Sequence, residues 1–320
     1  MKVLITGGAG FIGSFLTESL VSDGHDVIIL DNFITGNLKN LNLVKSNVNI
    51  VEGDIRDEKL VDDLVSNTDV VFHMAAALGV NNILMSALNS ISVNISGSNV
   101  ILKTSAKYDK RIIIASTSEI YGKNPKQPLT ENDDRVIGSP QKIRWTYSDS
   151  KAIEEATAAF LHETQNLRVT TIRLFNTVGP RQKGKYGMVV PRFVYNALMH
   201  ETLSVYGNGE QTRVFCHVLD TVDALLKISK TDKSIGEVYN LGGTREISIL
   251  KLAQKVIQLT NSTSRIEFIP YNEAYTFGFE DVQRRVPDIS KLKSIIDWEP
   301  KRDLDEIILD TKNFYMGNIL

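Results

Sequence analysis

The stretch Gly7-Gly8-Ala9-Gly10-Phe11-Ile12-Gly13 decides the fold, because it joins an apolar strand pattern at Lys2–Thr6 to the start of an amphipathic helical pattern. Gly7 and Gly10 allow a tight turn in which the backbone approaches a ligand closely, and Gly13 lets the helix pack on the strand. Free N–H groups at the helix start, together with the helix dipole, favour a pyrophosphate. The sequence therefore predicts a dinucleotide site.

The residue after the second predicted strand selects the type of dinucleotide. Asp31 lies roughly 20 residues beyond the glycines, where a carboxylate can accept hydrogen bonds from both ribose hydroxyls and repels a 2′-phosphate. NAD is therefore the predicted cofactor, rather than NADP. Asp54 and Ile55 follow the third strand and are candidates for contact with adenine. The residues predicted to bind the cofactor are Gly7, Gly10, Phe11, Ile12, Gly13, Asp31, Asn32, Asp54, Ile55, Ala75, Asn94, Tyr147 and Lys151.

Outward from this loop, short apolar runs alternate with helical patterns through the first half of the chain. Parallel strands need crossover helices, so this order predicts an α/β fold with a doubly wound parallel sheet of Rossmann type. The predicted strands are Lys2–Thr6, Val27–Leu30, Val48–Val51, Val70–His73, Arg111–Ser116 and Val169–Leu174. The predicted helices are Phe11–Ser22, Glu58–Ser66, Ala87–Lys107 and Ser150–Thr164.

After Asn176 the pattern changes to loops rich in Gly and Pro, with a helix predicted near Val190–Met199 and a final helix near Ile289–Ile296. This change predicts a smaller mixed α/β domain. Val238–Leu241 is a further apolar run that returns the chain to the main sheet. The predicted division is residues 1–176 for the NAD-binding domain, with a return segment at about 215–242, and residues 177–320 for a substrate-binding domain.

Composition excludes several classes of function. The 320 residues carry 36 Lys and Arg against 38 Asp and Glu, and a formal net charge of −2 lacks the field that gathers nucleic acid or anionic membranes. The single cysteine, Cys216, excludes an intramolecular disulfide and a cysteine-cluster metal site, so we expect no metal. The N-terminus has no apolar stretch long enough for a signal peptide or membrane span, which predicts a cytoplasmic protein.

A catalytic group is indicated by Tyr147 and Lys151, which lie four residues apart and so share one helix face. An ammonium near the phenol favours the phenolate, which predicts a lowered phenol pKa and a proton-transfer pair. Ser116-Thr117-Ser118-Glu119 follows an apolar strand, at the sheet edge where open α/β sheets place their ligands. The predicted catalytic residues are Thr117, Ser118, Glu119, Tyr147 and Lys151.

Together with further segments, these motifs resemble extended short-chain dehydrogenases that act on nucleotide-sugars, and the resemblance covers nearly the whole chain. It implies a sugar linked to a nucleotide, most commonly UDP, as the substrate. The segments that carry the resemblance are Gly7–Gly13, Ser116–Gly122, Tyr147 with Lys151, Arg173–Arg181, Val190–Phe193, Leu203–Gly207, Gln211–Arg213 and Arg284–Asp288.

The resemblance also implies individual roles. Thr117 and Tyr147 would contact the sugar 4-hydroxyl, Lys151 would also hold the nicotinamide ribose, and the backbone of Val205-Tyr206 would flank the base. Arginines suit the diphosphate, because their fixed fork of donors matches phosphate oxygens. The residues expected to bind the substrate are Asn176, Val190, Arg192, Val205, Tyr206, Arg213 and Arg285.

The shared step of such enzymes is transient oxidation at C4 to a 4-keto sugar. A carboxylate at C6 then leaves readily as carbon dioxide, and Thr117-Ser118-Glu119 with Arg285 resembles UDP-glucuronate decarboxylases. A 4-epimerase needs no further carboxylate and remains an alternative. A 4,6-dehydratase or an enzyme with C5 chemistry is a third, although Ser118 replaces the first acid of the usual Asp-Glu pair. A non-catalytic NAD sensor would be marked by loss of Tyr147 or Lys151, and both are present.

A homodimer is also expected, because two helical segments carry apolar residues on more than one face. Extra apolar helix faces often pack against a symmetry-related copy, here in a four-helix bundle. The resemblance to the family named above also implies a dimer of this kind. The apolar residues concerned are Ile91, Val93, Ile95, Val100, Ile101, Ala152, Ile153, Ala156, Ala159 and Phe160.

Overall fold

Seven strands form a central parallel sheet in the computed structural model, which describes residues 1–77, 87–184, 188–274 and 282–319. The strands of the chain are β1 (Lys2–Thr6), β2 (Asp26–Asp31), β3 (Val48–Glu52), β4 (Val70–His73), β5 (Arg111–Thr117), β6 (Arg168–Leu174), β7 (Thr177–Val178), β8 (Leu203–Tyr206), β9 (Thr212–Val214), β10 (Cys216–His217), β11 (Val238–Leu241), β12 (Glu246–Ser248) and β13 (Ile266–Ile269).

The order across the central sheet is β3-β2-β1-β4-β5-β6-β11, with every pair parallel. The chain therefore winds outward in both directions from β1 and β4, which confirms the predicted Rossmann-type fold. In an open α/β sheet the ligand crevice lies at this switch point, beyond the carboxyl ends of the strands. Thr6 and His73 are directly opposite each other there, at the ends of β1 and β4.

Helices cover both faces of this sheet. The helices of the chain are α1 (Phe11–Ser22), α2 (Glu58–Ser66), α3 (Ala87–Ile91), α4 (Ser98–Lys107), α5 (Thr146–Gln165), α6 (Val189–Leu198), α7 (Val218–Ser229), α8 (Ile249–Thr260), α9 (Tyr271–Ala274), α10 (Ser290–Ile295) and α11 (Leu304–Ile319). On one face α1 and α7 bury Leu16 and Leu225, and on the other α4 and α5 bury Ile101 and Leu161. Burying both faces explains why the strands are continuously apolar.

Several helix boundaries differ from the sequence prediction. The predicted continuous helix Ala87–Lys107 contains a π-helical segment, Ser92–Gly97, between α3 and α4. The helix predicted from Ser150 begins at Thr146, so Tyr147 lies in its first turn. The helix predicted near Ile289–Ile296 is confirmed as the short α10, but it is not the final helix, because α11 follows it. Caps and tertiary packing fix such boundaries, and a pattern of apolar residues does not show them.

The second unit packs around its own core, in which α6, α8 and α11 contribute Phe193, Leu252 and Ile308. Three small ribbons accompany it: β7 with β10 and β8 with β13 in parallel, and β9 with β12 antiparallel. Among the apolar residues that suggested a dimer face, Val93 and Ile101 are buried within the subunit. In the described part of the chain, no helix combines the length and apolar character that crossing a bilayer requires.

Candidate active site

The glycine loop, residues 7–13, has no room for side chains at two positions. Gly7 has a φ of +72°, and a Cβ there would lie 2.8 Å from the backbone nitrogen of Ala75. A Cβ on Gly13 would lie 2.1 Å from the carbonyl oxygen of Gly7. The loop is anchored to β2 by a 2.8 Å hydrogen bond from the Gly7 N–H to the Leu30 carbonyl. These glycines bring α1 close to the ends of β1 and β4, and they leave backbone exposed to a ligand.

A cavity of about 560 Å³ opens beside this loop, a size suited to a small-molecule cofactor. It brings together residues that are far apart in sequence. The predicted cofactor residues that line it are Gly7, Gly10, Phe11, Ile12, Gly13, Asp31, Asn32, Ile55, Ala75 and Tyr147. Thr117 lines it as well, whereas Asp54, Asn94 and Lys151 stand outside the lining that the described residues form. The cleft thus unites the glycine loop with the predicted catalytic tyrosine.

Asp31 lines the cleft and accepts hydrogen bonds from two backbone N–H groups. One carboxylate oxygen accepts a 3.0 Å hydrogen bond from the Ala9 N–H, and the other accepts a 2.9 Å bond from the Phe33 N–H. Burial raises the pKa of Asp31 above its usual range, and the two N–H donors oppose that rise. The carboxylate thus lies beside the glycine loop, as an acceptor for a ribose requires.

Asp54 and Asn94 have other local partners. Asp54 forms a 2.7 Å ion pair with Arg56, which lowers the pKa of the carboxyl. The Asn94 side chain accepts from the Ala77 N–H at 2.8 Å and donates to the Ala77 carbonyl at 3.0 Å. Asn94 lies in the π-helical segment, and such wider turns are frequent at functional sites. Both side chains hold backbone near the cavity in place.

Tyr147 and Thr117 reach the cavity from the start of α5 and the end of β5. Burial raises the pKa of the Tyr147 phenol, the charges of Glu154 and Glu119 raise it further, and a hydrogen bond with Thr117 opposes them. The lowered phenol pKa expected from the sequence is therefore wrong in direction. The main reason is burial of the phenol, and Glu154 adds to it; the Lys151 ammonium is itself paired, because it donates a 2.6 Å hydrogen bond to Glu154.

Glu119 lies between two arginines beyond the end of β5. Its Oε1 is 2.5 Å from Nη1 of Arg285, and its Oε2 is 3.1 Å from Nη2 of Arg144. Burial raises the pKa of Glu119, but the charges of Arg285, Arg144 and Arg213 outweigh it and lower the pKa to about 2. Ser118, the neighbour of Glu119, is buried. Glu119 is therefore an ionised carboxylate in a strongly cationic setting.

The substrate-binding residues expected in the second half are spread over several elements. Arg192 stacks on the ring of Tyr206 at 4.6 Å and donates to its hydroxyl and to the Ser204 carbonyl. Val190 and Val205 are fully buried in the core of the second unit. These side chains lie outside the cavity lining that the described residues form.

Two other members of the expected substrate set hold backbone carbonyl groups. Asn176 donates a 2.9 Å hydrogen bond to the Val214 carbonyl, and Arg213 donates one of 2.8 Å to the Thr212 carbonyl. Of the expected set, Arg285 and Arg213 are the residues whose charges act on Glu119. The structure thus groups these two arginines with the end of β5.

Two arginines acquire importance that the sequence reasoning missed. Arg181 lines the cavity and is fixed by a 2.7 Å ion pair with Glu18 and a 3.1 Å hydrogen bond to Ser14, both on α1. Arg144 meets Glu119 although the two are well separated along the chain. No local signal marks either residue, because both acquire their partners only through tertiary packing.

The fold and the cleft define the class of protein: an NAD-dependent enzyme of the short-chain dehydrogenase type. Its cleft unites the glycine loop, the acidic end of the second strand and the tyrosine of a Tyr-x-x-x-Lys pair. The model of the family described as GDP-mannose 4,6 dehydratase matches residues 4–311. The chain belongs to this family. This confirms the predicted class, an extended short-chain dehydrogenase that works with NAD on nucleotide-sugars.

Three known proteins illustrate the range of chemistry among its relatives. UDP-N-acetyl-alpha-D-glucosaminuronate decarboxylase of Bacillus cytotoxicus is 42% identical over 98% of this chain and 97% of its own length. UDP-glucose 4-epimerase of Thermotoga maritima, solved with UDP-glucose, is 31% identical, with a TM-score of 0.90 and 100% of both chains covered. dTDP-glucose 4,6-dehydratase of Bacillus anthracis, solved with NAD, is 28% identical, with a TM-score of 0.87 over 99% of this chain and 97% of its own.

Proposed function

We propose that this protein decarboxylates a UDP-linked hexuronate through transient oxidation at C4. The observation that carries the proposal is the pair of arginines around Glu119, at the same strand end as Thr117. A C6 carboxylate would form charged, paired hydrogen bonds with these guanidinium groups, whereas a neutral sugar would offer them only hydroxyl oxygens. Arginine is suited to this role because its donors form paired hydrogen bonds with a carboxylate.

The charges near Glu119 support an anionic substrate. The charges of Arg285, Arg144 and Arg213 all lower the pKa of Glu119, so three guanidinium groups act on one place at the end of β5. Two charges 4 Å apart interact by about 4 kcal/mol at an effective dielectric constant of 20. Guanidinium groups at this place would favour the entry of an anionic substrate such as a uronate linked to a diphosphate.

The residues of the cleft fit NAD. A Cβ on Gly7 or Gly13 would occupy space against the backbone, and the N-terminus of α1 can receive the pyrophosphate. Asp31 would accept from the adenosine ribose, and Lys151 would hold the nicotinamide ribose. Bound NAD supplies a hydride acceptor that later serves as the hydride donor.

The protein's own groups would then handle protons and orientation. Thr117 and Tyr147 would hold the sugar O4, and the Tyr147 oxygen would take the O4 proton and later return it. With a ketone at C4 the substrate is a β-keto acid, so its C6 carboxylate can depart as carbon dioxide while the electrons of the C5–C6 bond form an enolate with O4. The enolate then takes up a proton at C5. Arg285 would orient the carboxylate, and Glu119 would hold Arg285 in place through their ion pair.

Similarity supports a particular substrate among the uronates. The relative that is 42% identical over nearly the whole chain is by name a decarboxylase of UDP-N-acetyl-alpha-D-glucosaminuronate. A UDP-glucuronic acid decarboxylase of Danio rerio is 34% identical over 98% of this chain. We therefore include an N-acetylated uronate in the proposal and place it ahead of UDP-glucuronate.

The test is product analysis by mass spectrometry and NMR with a panel of UDP-N-acetylglucosaminuronate, UDP-glucuronate and the corresponding neutral UDP-sugars. Loss of carbon dioxide from a uronate is expected. A neutral sugar that is converted without a change in mass would instead support a 4-epimerase, which the likeness to the Thermotoga maritima enzyme favours. Loss of water would overturn both readings in favour of a dehydratase.

A matched pair of variants tests whether the arginines around Glu119 determine activity on the uronates of this substrate panel. Arg285→Gln removes a buried guanidinium that contacts Glu119, whereas Arg284→Gln removes an exposed neighbour that pairs with Glu246 at 2.7 Å. The first variant should lose most activity on uronates while it still binds NAD, and the second should keep it. Equal activity of both variants on a uronate would contradict a carboxylate-binding role for Arg285.

Assembly and domain roles form the remaining part of the proposal. Residues 1–176 with the return segment at about 215–242 would bind NAD, and residues 177–320 would bind the nucleotide-sugar. Ile153 and Phe160 on α5 are 46% and 64% exposed, which supports a homodimer through this helix. Sedimentation of the wild type should give twice the subunit mass, and Ile153→Glu/Phe160→Glu should give a monomer. Phe268→Glu, at an exposed site on β13, is the control.

A further inference from the structure

A buried acidic residue lies behind the Tyr147–Lys151 pair and is not used in the reaction described above. Glu154 is on α5, three residues beyond Lys151, and its Oε2 accepts a 2.6 Å hydrogen bond from the Lys151 ammonium. The side chains of Glu154 and Lys151 are 0% and 1% exposed. A charge that is buried so completely persists only when it is paired, so each of the two depends on the other.

His73 closes the other side of this pair but supplies no charge to it. Its Nδ1 is 2.7 Å from the hydroxyl of Thr6, and its Nε2 is 2.9 Å from the hydroxyl of Ser98 and 3.7 Å from Oε1 of Glu154. Burial, together with the charge of Lys151, lowers the pKa of His73 to about 3. The imidazole is therefore neutral near pH 7, and it does not compete with Lys151 for Glu154.

The other titratable groups around this pair have partners of their own. Glu155, the next residue on α5, forms a 2.7 Å ion pair with Arg173 on β6. Glu119 lies in the arginine pair beyond β5. The charge of Lys151 is thus balanced locally by Glu154. Tyr147 lies one helical turn before Lys151 on α5, and burial raises the pKa of its phenol, with the charge of Glu154 raising it further.

We infer that Glu154 is a positioning residue that acts on Tyr147 through Lys151. Its carboxylate holds the Lys151 ammonium against the inner side of α5 and balances its charge, and it thereby sets the pH at which the phenol releases its proton. The inference rests on Tyr147 as the base of the proposed reaction. It does not depend on which sugar is the substrate.

The direction of the effect follows from charge. Glu154 raises the pKa of Tyr147, and burial adds to this. Replacing the carboxylate by a neutral amide of nearly the same shape leaves the Lys151 ammonium unbalanced beside the phenol. An unbalanced cation within about 4–6 Å lowers the pKa of an acid by about one unit or more. Glu154→Gln should therefore make Tyr147 ionise at lower pH.

The experiment measures the pH at which the Tyr147 phenol ionises. Ultraviolet difference titration of tyrosine ionisation is recorded on NAD-saturated protein, and the same titration of Tyr147→Phe is subtracted to isolate one phenol. In Glu154→Gln the isolated midpoint should fall by about one pH unit, and Glu154→Asp, which keeps the charge, should restore most of the wild-type value. An unchanged midpoint in a folded Glu154→Gln protein would overturn the inference. Because no sugar is present, failure here is distinct from failure of the proposed reaction.

Controls separate this role from simple stabilisation of the helix. Glu155→Gln removes the same charge one residue further along and breaks the pair with Arg173, so it should lower the melting temperature without moving the Tyr147 midpoint. Glu163→Gln, at an exposed position of α5, should change neither quantity. A shift of the midpoint in Glu155→Gln equal to that in Glu154→Gln would overturn the specific role of Glu154.

A second variant covers the case in which Glu154→Gln does not fold. Lys151→Met/Glu154→Met leaves no lone buried charge, and replacement of a buried ion pair by apolar side chains is often tolerated. If the pair acts on the phenol as a charge-balanced unit, the Tyr147 midpoint in this protein should stay close to that of the wild type. A rise of more than one pH unit would overturn the inference.

Discussion

The two ends of the active site are built in opposite ways. At one end, the glycine loop (residues 7–13) contributes backbone and empty space, and its members are adjacent in sequence. At the other end, the arginine cluster, defined as Arg144 and Arg285 around Glu119, consists of long charged side chains from three separate segments. The first end is shaped by the absence of side chains, and the second by their charges.

This difference explains how one family can share a cofactor and differ in chemistry. The glycine loop recognises a pyrophosphate through geometry that every member needs, so it has little freedom to vary. Under the proposed function, the arginine cluster would select the group on the sugar that is recognised, because its charges lie beyond the end of β5. Substitutions at the two ends should therefore have distinct signatures, with cofactor binding lost at one and substrate affinity at the other.

The largest effect is expected where the two ends meet. Tyr147→Phe removes the hydroxyl of a residue that lines the cavity with Thr117, and with it the group proposed to take the O4 proton. General acid–base catalysis contributes about 10²–10⁴-fold, so kcat should fall by about 10³-fold. Calorimetric titration should show unchanged NAD binding. Full activity with a UDP-uronate would remove Tyr147 from the catalytic set.

A substitution in the glycine loop should abolish cofactor binding. In Gly13→Ala the new Cβ would lie 2.1 Å from the Gly7 carbonyl oxygen, so the start of α1 must move away from β1. We expect NAD affinity to drop by at least about thirtyfold, or about 2 kcal/mol, in calorimetric titration. Gly317→Ala is the control, because nothing lies within 4 Å of its added Cβ. Equal NAD affinity of the two variants would contradict the close-packed role of Gly13.

A substitution in the arginine cluster should have a smaller and different effect. Arg144→Gln removes a donor 3.1 Å from Glu119, and hydrogen bonds to charged groups contribute about 1.5–3 kcal/mol. The KM for a UDP-uronate should rise by about tenfold, and NAD affinity should stay as in the wild type. Arg135→Gln, which breaks a 2.7 Å pair with Asp149 at an exposed position, serves as the control. A loss of NAD binding in Arg144→Gln would show that the two ends are not independent.

The smallest effect concerns His73, which lies behind the cofactor end. Burial and Lys151 lower the pKa of folded His73 to about 3, below the value of about 6.5 for an unfolded histidine. Between these two values the unfolded chain binds a proton at His73 and the folded chain does not. The contribution of His73 to the free energy of unfolding is therefore complete above about pH 6.5 and is lost as pH falls towards 3. Urea unfolding of His73→Gln should depend less steeply on pH over this window. His200→Gln, at an exposed site, should keep the wild-type slope.

Sequence reasoning predicted the cofactor end well because its determinants are local. The glycine loop, the acid after β2 and the alternation of strands and helices each fall within one short segment, and all reappear in the structure. Sequence reasoning was less successful for features that depend on tertiary packing, such as which residues are buried and where the last helix lies. Val93 and Ile101 are interior residues, and α11 follows the segment that was predicted to hold the last helix.

What the sequence determined by itself is therefore the Rossmann-type sheet, the NAD site and the Tyr147–Lys151 pair, since residue spacing alone places these groups together. Tertiary structure alone decided that Arg144 and Arg285 hold Glu119, and that Lys151 is balanced by Glu154 beside a neutral His73. The physical reason is that charge and burial depend on neighbours from distant segments. The order of residues along the chain does not show which distant segments become neighbours, so it does not predict the charge or burial around a side chain.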